Sequence, residues 1–473
     1  MPIEENLQKE IKRVFDLQKS NRMRLANSSV EERKAKLKKL LNEILVSQDQ
    51  ICEAVYKDFR KSREETRLSE IYATTSELKH IIKHLKKWMK PKRVSTPLSL
   101  FGSSSKVLYE SIGQSLIISP WNYPFQLVMA PLGLAIAAGN TVIVRPSEKS
   151  TNTSALLKKM IDKLFPEDEV KTFLGDEEVA RELTSLPFNH IFFTGSPTVG
   201  KLVMEAAAKN LTKVTLELGG KSPVILNKDA DLRTSATRIA WGKFMNGGQT
   251  CVAPDYLLIH EDVKEKFVGY MIEATKNLYG DKNTLREENN YCRLIDVKHF
   301  QSIQRLIDDA VNDGATIIHG GEIDESDKFI SPTLIENVKL DSAIMQNEIF
   351  GPVLPIITFK DFNEILYIVN QNPNPLALYV FSKNKSFIKN VLESIPAGSS
   401  AVNDVVVHFA NYNLPFGGIN YSGIGKSHGY HGFKAFSNEK GVMKQPKYST
   451  MTLLYPPYNN FKSKLVNLTI KYF

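Results

Sequence analysis

Cysteine is scarce in this 473-residue chain, with Cys52, Cys251 and Cys292 its whole complement. That excludes a disulfide scaffold. So few thiols, odd in number, fit a reducing compartment, where a lone cysteine is a buried hydrophobe or a nucleophile. Long apolar runs are lacking too. The longest stretch, Leu127 to Val144, is interrupted by Pro131, Gly133, Gly139 and Asn140. It reads as a buried helix followed by a buried strand, since a membrane span needs ~20 uninterrupted apolar residues. The opening Met1-Pro2-Ile3-Glu4-Glu5-Asn6 has neither the basic nor the apolar region of a secretion signal. A cytoplasmic location is therefore expected. No His, Cys, Asp or Glu cluster has metal-ligand spacing, so no metal is expected. Repeats and low-complexity segments are absent as well.

Acid is in deficit at one end only. The first hundred residues hold 23 Lys+Arg against 14 Asp+Glu, and the remaining 373 hold 38 of each. The excess is densest from Lys79 to Arg93, with seven bases and no acid. No aromatic ribbon or zinc-finger spacing accompanies it, so a solvated helix face is expected there and nucleic acid is not an expected partner.

What is present is a large globular chain, long enough for two or three domains. Its first ninety residues carry helical stripes, Leu7, Ile11, Val14 and Phe15, then Leu37, Leu40, Leu41 and Ile44. Ser29 and Glu32 form a candidate capping box before the second stripe. Pro91 and the Ser-, Pro- and Gly-rich segment Ser95–Ser105 mark a boundary. Beyond Ser111, short β-rich runs alternate with helical ones: Ser115–Ser119, Thr141–Val144, Asn189–Phe193 and Val214–Leu216. Strands spaced by helices predict a parallel α/β sheet of the kind that binds nucleotides. A second αβ region follows Gly219 and runs to about Tyr412.

Five short segments carry candidate chemistry. Phe193-Thr194-Gly195-Ser196-Pro197-Thr198-Val199-Gly200-Lys201 reads as a strand, a turn and a helix start suited to a pyrophosphate. It approaches the P-loop pattern, but Leu202 stands where Ser or Thr would bind Mg²⁺, so an ATPase reading fails there. Glu217-Leu218-Gly219-Gly220-Lys221 places a carboxylate at a strand end beside two glycines. Asn246-Gly247-Gly248-Gln249-Thr250-Cys251 places a thiol after a glycine pair, where backbone can approach a ligand closely. Pro120-Trp121-Asn122-Tyr123-Pro124 supplies an amide donor, and Asn347-Glu348-Ile349-Phe350-Gly351-Pro352 a carboxylate and an aromatic ring. Each alone is more commonly structural.

Taken in order and spacing, with Leu414-Pro415-Phe416-Gly417-Gly418 added, the set resembles the aldehyde dehydrogenase superfamily over roughly residues 10 to 446. The short N-terminus and the stretch from Asn413 through Ser422-Gly423 to His428-Gly429 look like its class 3, fatty-aldehyde branch. The resemblance implies a Rossmann-like NAD(P)-binding domain (1–92 and 111–219), an α/β catalytic domain (220–412), a β oligomerisation arm (93–110 and 435–446) and a tail (447–473), assembled as a homodimer. It also implies oxidation of an aldehyde, with Cys251 as nucleophile, Asn122 and the Cys251 backbone N–H as oxyanion donors, and Glu217 as the base that hydrolyses the thioester. Cofactor contacts carry over to Trp121, Arg145, Glu148, Gly195, Ser196, Gly200, Leu218, Gly219, Glu348 and Phe350. Where the family usually has Lys, this chain has Arg145. Glu148 favours NAD through the ribose hydroxyls, whereas Arg145 suits the 2′-phosphate of NADP. The aromatic residues Tyr123, Phe409 and Tyr412 are expected at the substrate mouth and suit medium-chain aliphatic or aromatic aldehydes. A same-fold rival is a cofactor-independent cysteine hydrolase. Some relatives of this branch continue into a membrane anchor. The tail here, with Leu465, Val466, Leu468 and Ile470 among lysines, is too short for one, and docking on the body is expected, with weak membrane-surface association the alternative.

Overall fold

A computed structural model describes residues 4–281, 283–286 and 291–472. Met1-Pro2-Ile3, read above for a leader, and Phe473 lie outside the described residues. Two wound sheets and a small antiparallel one organise the chain. The first large sheet runs, from edge to edge, Gly423–Ile424, Lys213–Leu218, His190–Gly195, Gln114–Ile118, Thr141–Arg145 and Val170–Thr172. Its last five strands are parallel and Gly423–Ile424 is an antiparallel edge. Gln114–Ile118 and Thr141–Arg145 are buried at every position, as continuous Val- and Ile-rich strands covered on both faces must be.

The helix Gln126–Ala138 joins these two strands. It is apolar on all sides and buried throughout except at Leu127, the pattern of a helix enclosed by protein. Gly139 ends it at φ 82°, a left-handed position that favours glycine. The N-terminal helices close the sheet. Ile11, Val14 and Phe15 pack with Leu116, Ile143 and Ile191, whereas Leu37, Leu40, Leu78 and Ile81 pack with Ile117, Val142 and Phe192. Ser29 caps its helix by accepting from the Glu32 N–H at 3.1 Å. Glu32 does not complete the box; its carboxylate turns to Arg24 and Lys36 at 3.1 and 3.0 Å. The seven bases from Lys79 to Arg93 are all exposed, and the helix Ala73–Trp88 turns Leu78, Ile81, Leu85 and Trp88 inward.

The second large sheet has the order Thr316–His319, Thr333–Glu336, Val353–Phe359, Tyr256–His260, Pro223–Leu226, Ala377–Phe381 and Ser399–Val402, parallel apart from its first strand. The chain then turns back. Gly423 pairs with Glu217 on the first sheet, and the helix Gly429–Ala435 seats Phe433 in the first sheet's core. Residues 413–434 have no domain in the sequence reading; Gly423–Ile424 and Phe433 join the first sheet, whereas Phe416 packs against the core of the second. Lys92–Val94, Ser104–Ser111 and Ser437–Lys444 form the antiparallel sheet. In the tail, the turn Thr450–Leu454 lies against Leu98–Leu100, while the helix Asn460–Tyr472 buries none of its described residues. Among the described residues no helix is long and apolar enough to cross a membrane.

Candidate active site

The carboxyl ends of the first sheet's strands and the loops facing them bring the motif residues together. Glu217 and Leu218 end one strand, Thr194 and Gly195 its neighbour, and the loop Pro120–Phe125 follows a third. Cys251, half-buried and free of any disulfide, lies opposite on a loop from the second sheet. A narrow cavity of about 440 Å³ is lined by Cys251, Glu217, Thr194, Phe416, Ser427 and His428. It adjoins a cleft of about 1020 Å³ that also reaches Cys251. Apolar groups dominate the walls of the cleft, among them Leu68, Trp241, Met245 and Val407, and Tyr123, Phe409 and Tyr412 line it as well.

The nucleophile loop is tightly built. Asn246 and Gly247 both have positive φ, 56° and 60°. A Cβ on Gly248 would stand 2.2 Å from the Gly351 carbonyl, so only glycine lets the Phe350–Pro352 turn pack there. Asn122 is buried, and its Nδ2 donates to the Gln249 carbonyl at 3.0 Å, two residues before the thiol. Asn246 Nδ2 donates to the same carbonyl at 3.0 Å and to the Asn122 carbonyl at 2.9 Å. Amide, thiol and backbone thus share one hydrogen-bonded turn.

Burial dominates the electrostatics of this pocket. Burial, then Glu348 and Glu217, push the Cys251 thiol up to about 12, against the backbone amides of Cys251 and Val252. Burial raises Glu217 from 4.5 to about 7, with Ser427, His428 and Lys426 opposing. Among the described residues neither carboxylate oxygen of Glu217 meets a hydrogen-bond donor in good geometry. Such a group, buried and unpaired, is rare outside functional sites. Gly417 passes so close that a Cβ there would lie 3.0 Å from Glu217 Oε1.

The remaining motif residues form a second group along the same edge. Ser196 caps the helix Pro197–Ala208, accepting from Val199 N–H at 3.4 Å, and Leu218 covers Gly200, where a Cβ would sit 2.8 Å from its methyl. At Gly219 a Cβ would fall 2.0 Å from the Glu348 carboxylate; burial and then Asp255 raise that carboxyl to about 8. Phe350 holds φ 50°, strained for an aromatic residue, and its ring meets Trp121 edge-on at 5.4 Å. Arg145 is buried and donates to Glu148 at 2.6 Å and to the Gly175 carbonyl at 2.9 Å, while its Nε has no partner among the described residues.

Several site residues escaped the sequence reading. His299 Nε2 donates to the Phe350 carbonyl at 2.9 Å, and the ring packs on Trp121. Lys221 is buried against Asp255 and donates to the Ile344 and Asn347 carbonyls at 2.7 and 2.9 Å, while Asp255 accepts from Ile349 N–H at 3.0 Å. This pair pins the turn that carries Glu348. Fully buried Glu77 bonds His428 Nδ1 at 2.8 Å and the Gly429 N–H at 3.1 Å. Burial alone would lower His428, but Glu77 and Glu217 raise it. His428 was visible as part of the His-Gly pair; Glu77 had no local signal. Cys52 and Cys292 are buried in the hydrophobic core. Among the described residues no group of three His, Cys, Asp or Glu could hold a metal.

Comparison with known proteins agrees with this geometry. The profile of the aldehyde dehydrogenase family matches residues 3–442. The chain is 42% identical over 426 residues to 4,4′-diaponeurosporen-aldehyde dehydrogenase of Staphylococcus aureus, covering 90% of this chain and 92% of that one. It is 38% identical over 458 residues to aldehyde dehydrogenase family 3 member A2 of Macaca fascicularis, covering 96% and 92%. The substrate-bound structure of Staphylococcus aureus AldH superposes with a TM-score of 0.93 at 40% identity, covering 97% of this chain and 99% of that one. Enzymes of this family oxidise aldehydes with NAD or NADP, and this chain belongs to the aldehyde dehydrogenase family, in its class 3 branch.

Proposed function

We propose that the chain oxidises a medium- or long-chain aliphatic or aromatic aldehyde to its acid through a thiohemiacetal and a thioester on Cys251. The observation that carries this reading is the meeting of Cys251 with the buried Glu217, whose carboxylate has no well-formed hydrogen bond among the described residues, in one narrow cavity at the end of an apolar cleft. The cleft suits an apolar chain, whose burial contributes about 0.8 kcal/mol per CH₂.

The thiol loses its proton to solvent, the sulfur adds to the carbonyl carbon as the C=O π bond opens, and negative charge develops on oxygen. Asn122 Nδ2 and the Cys251 N–H are the donors for it, a role worth ~3–4 kcal/mol per donor. Loss of hydride leaves the thioester. Glu217, ionised above about pH 7, takes a proton from water, the hydroxide attacks the thioester carbon, and the acid departs from the thiol. A bound oxidised nicotinamide would supply the hydride acceptor and a positive charge that favours the thiolate.

The residues present fit a dinucleotide. Arg145 has a buried, unpartnered Nε, the Ser196-capped helix presents its N-terminus at the sheet edge, and Gly219 leaves backbone bare beneath Glu348. Gly195, Ser196 and Gly200 would hold the pyrophosphate, Glu348 the nicotinamide ribose, and Glu148 the adenosine ribose, with Trp121, Leu218 and Phe350 packing alongside. Because Glu148 carries a negative charge at that ribose position, NAD is the preferred partner. The three-stranded arm joins two copies as a cytoplasmic homodimer, which light scattering tests by mass.

The deciding experiment is NAD(P)H formation by wild type and Cys251→Ala, with NAD and NADP separately, over aldehydes of graded chain length. Turnover by wild type alone, rising with chain length, is expected. Turnover by Cys251→Ala, or preference for very short charged aldehydes, would refute the nucleophile or the substrate class. Ester cleavage without cofactor as the faster reaction would favour a hydrolase.

A further inference from the structure

Three charged residues near the N-terminus have no part in the steps above, yet all sit against the two catalytic loops. Lys61 and Glu70 are fully buried, 3.3 Å apart, and Lys61 Nζ also lies 4.1 Å over the ring of Tyr123. Glu70 Oε2 accepts the N–H groups of Phe125 at 3.2 Å and Gln126 at 2.8 Å. It thereby anchors the end of the loop that carries Asn122. Glu65, half-buried, accepts the N–H of Asn246 at 2.7 Å, the start of the loop that carries Cys251. The loops are further linked to each other by Asn246 Nδ2 on the Asn122 carbonyl, at 2.9 Å, and by Tyr123 OH and Thr250 Oγ1, 2.7 Å apart.

Local backbone makes this double grip possible. Glu65 and Glu70 are five positions apart, which a regular α-helix would place about 140° apart around its axis. Here the helix Arg63–Thr66 passes into a π turn at Arg67–Tyr72. Its wider i→i+5 repeat brings such positions toward one side. Leu68, Ser69 and Tyr72 of the same turn line the apolar cleft.

We propose that Glu65 and Glu70, the latter paired with Lys61, are positioning residues that set the Asn122 amide at its working distance from the Cys251 sulfur. They touch neither substrate nor cofactor. They fix the geometry in which thiol addition and oxyanion binding coincide, where a misplacement of about 1 Å costs on the order of 10²-fold. The inference rests on the roles given to Cys251 and Asn122 above.

The test is the rate of the first turnover of NAD(P)H, measured with saturating cofactor in Glu65→Leu and Glu70→Leu, beside cofactor affinity and melting temperature. Folded Leu variants should slow this burst about 10–100-fold with cofactor affinity unchanged, and Glu65→Gln, which keeps an acceptor for Asn246 N–H, should recover it to within about threefold. Should the Leu variants fail to fold, Glu65→Asp and Glu70→Asp keep the charge but withdraw the acceptor by one methylene. Each should slow the burst at least about threefold. A wild-type burst in folded Leu variants, or in the Asp variants, overturns the positioning role. A wild type silent on every aldehyde would instead overturn the oxidation reading beneath it.

Discussion

The cofactor side and the reaction cavity are built from the same sheet edge, yet their polar groups are treated in opposite ways. On the cofactor side, most motif residues have a structural occupation. Ser196 caps a helix, Arg145 and Glu148 hold each other, and Lys221 with Asp255 pins the Glu348 turn. In the reaction cavity Glu217 is buried without a well-formed hydrogen bond, and Cys251 faces two carboxylates that push its thiol up. Groups that only hold shape can be satisfied within the protein. Groups that must exchange protons or bonds with a substrate are left without partners, and the fold carries that strain.

Substitutions at the two regions sharpen the contrast, and the largest effect falls on the cavity base. Glu217→Gln should give one burst of NAD(P)H and then stall at the thioester, with steady turnover down by about 10²–10⁴. Undiminished steady turnover would remove Glu217 from the hydrolytic step. The same variant should melt higher than wild type at pH 8. The carboxyl's pKa of about 7 in the fold exceeds its ordinary 4.5. The folded state therefore holds the proton more tightly, and raising pH through this window destabilises it by about 3 kcal/mol in total. The gain should vanish below pH 4.5; a gain unchanged there would mean that the carboxylate is not strained.

Next in size, Asn122→Ala should lose about 10²–10³ in turnover while binding cofactor normally. A near-wild-type rate would mean that the Cys251 N–H alone carries the oxyanion. A smaller and opposite effect is expected at Glu348→Gln. Removing that charge, the strongest of the neighbouring charges acting on the thiol, should speed alkylation of Cys251 by iodoacetamide about tenfold at pH 9, above the carboxyl's pKa of about 8. The rate in both proteins should still climb with pH, because the thiolate is the reacting form. A slower reaction would show that Glu348 does not sense the thiol. Smallest of all, Glu148→Gln should raise use of NADP relative to NAD by a few fold, by freeing Arg145 for a 2′-phosphate. An unchanged ratio would place cofactor choice elsewhere.

The sequence was legible wherever chemistry and local geometry coincide in a short segment. Gly248 and Cys251 announced a tight turn bearing a thiol, and the buried strands at Gln114–Ile118 and Thr141–Arg145 showed as apolar runs. What could not be read is whatever depends on distant pairing. Lys61, Glu65, Glu70 and Glu77 look like surface charges in a basic region, since nothing near them in the chain tells of a buried partner. Lys61 meets Glu70 in the interior, and Glu77 meets His428 from the far end of the chain. Ser29–Glu32 failed as a full box for the converse reason, that Arg24 and Lys36 compete for the carboxylate. The return of residues 413–434 was hidden as well, because a two-residue strand has too little pattern to show.

That return governs the order in which the enzyme can mature. Glu217 pairs with Gly423, about two hundred positions later, and its Oε1 faces Gly417. The first sheet's five parallel strands complete themselves early, from contacts made within the first half of the chain, whereas the edge beside the base waits for a closure of very high contact order. On a ribosome, a nascent chain that has already formed its nucleotide-binding half would carry an unfinished base until the last strand docks. Binding competence and catalytic competence should therefore emerge at separate times, with the reactive thiol kept idle until the chain has closed on itself.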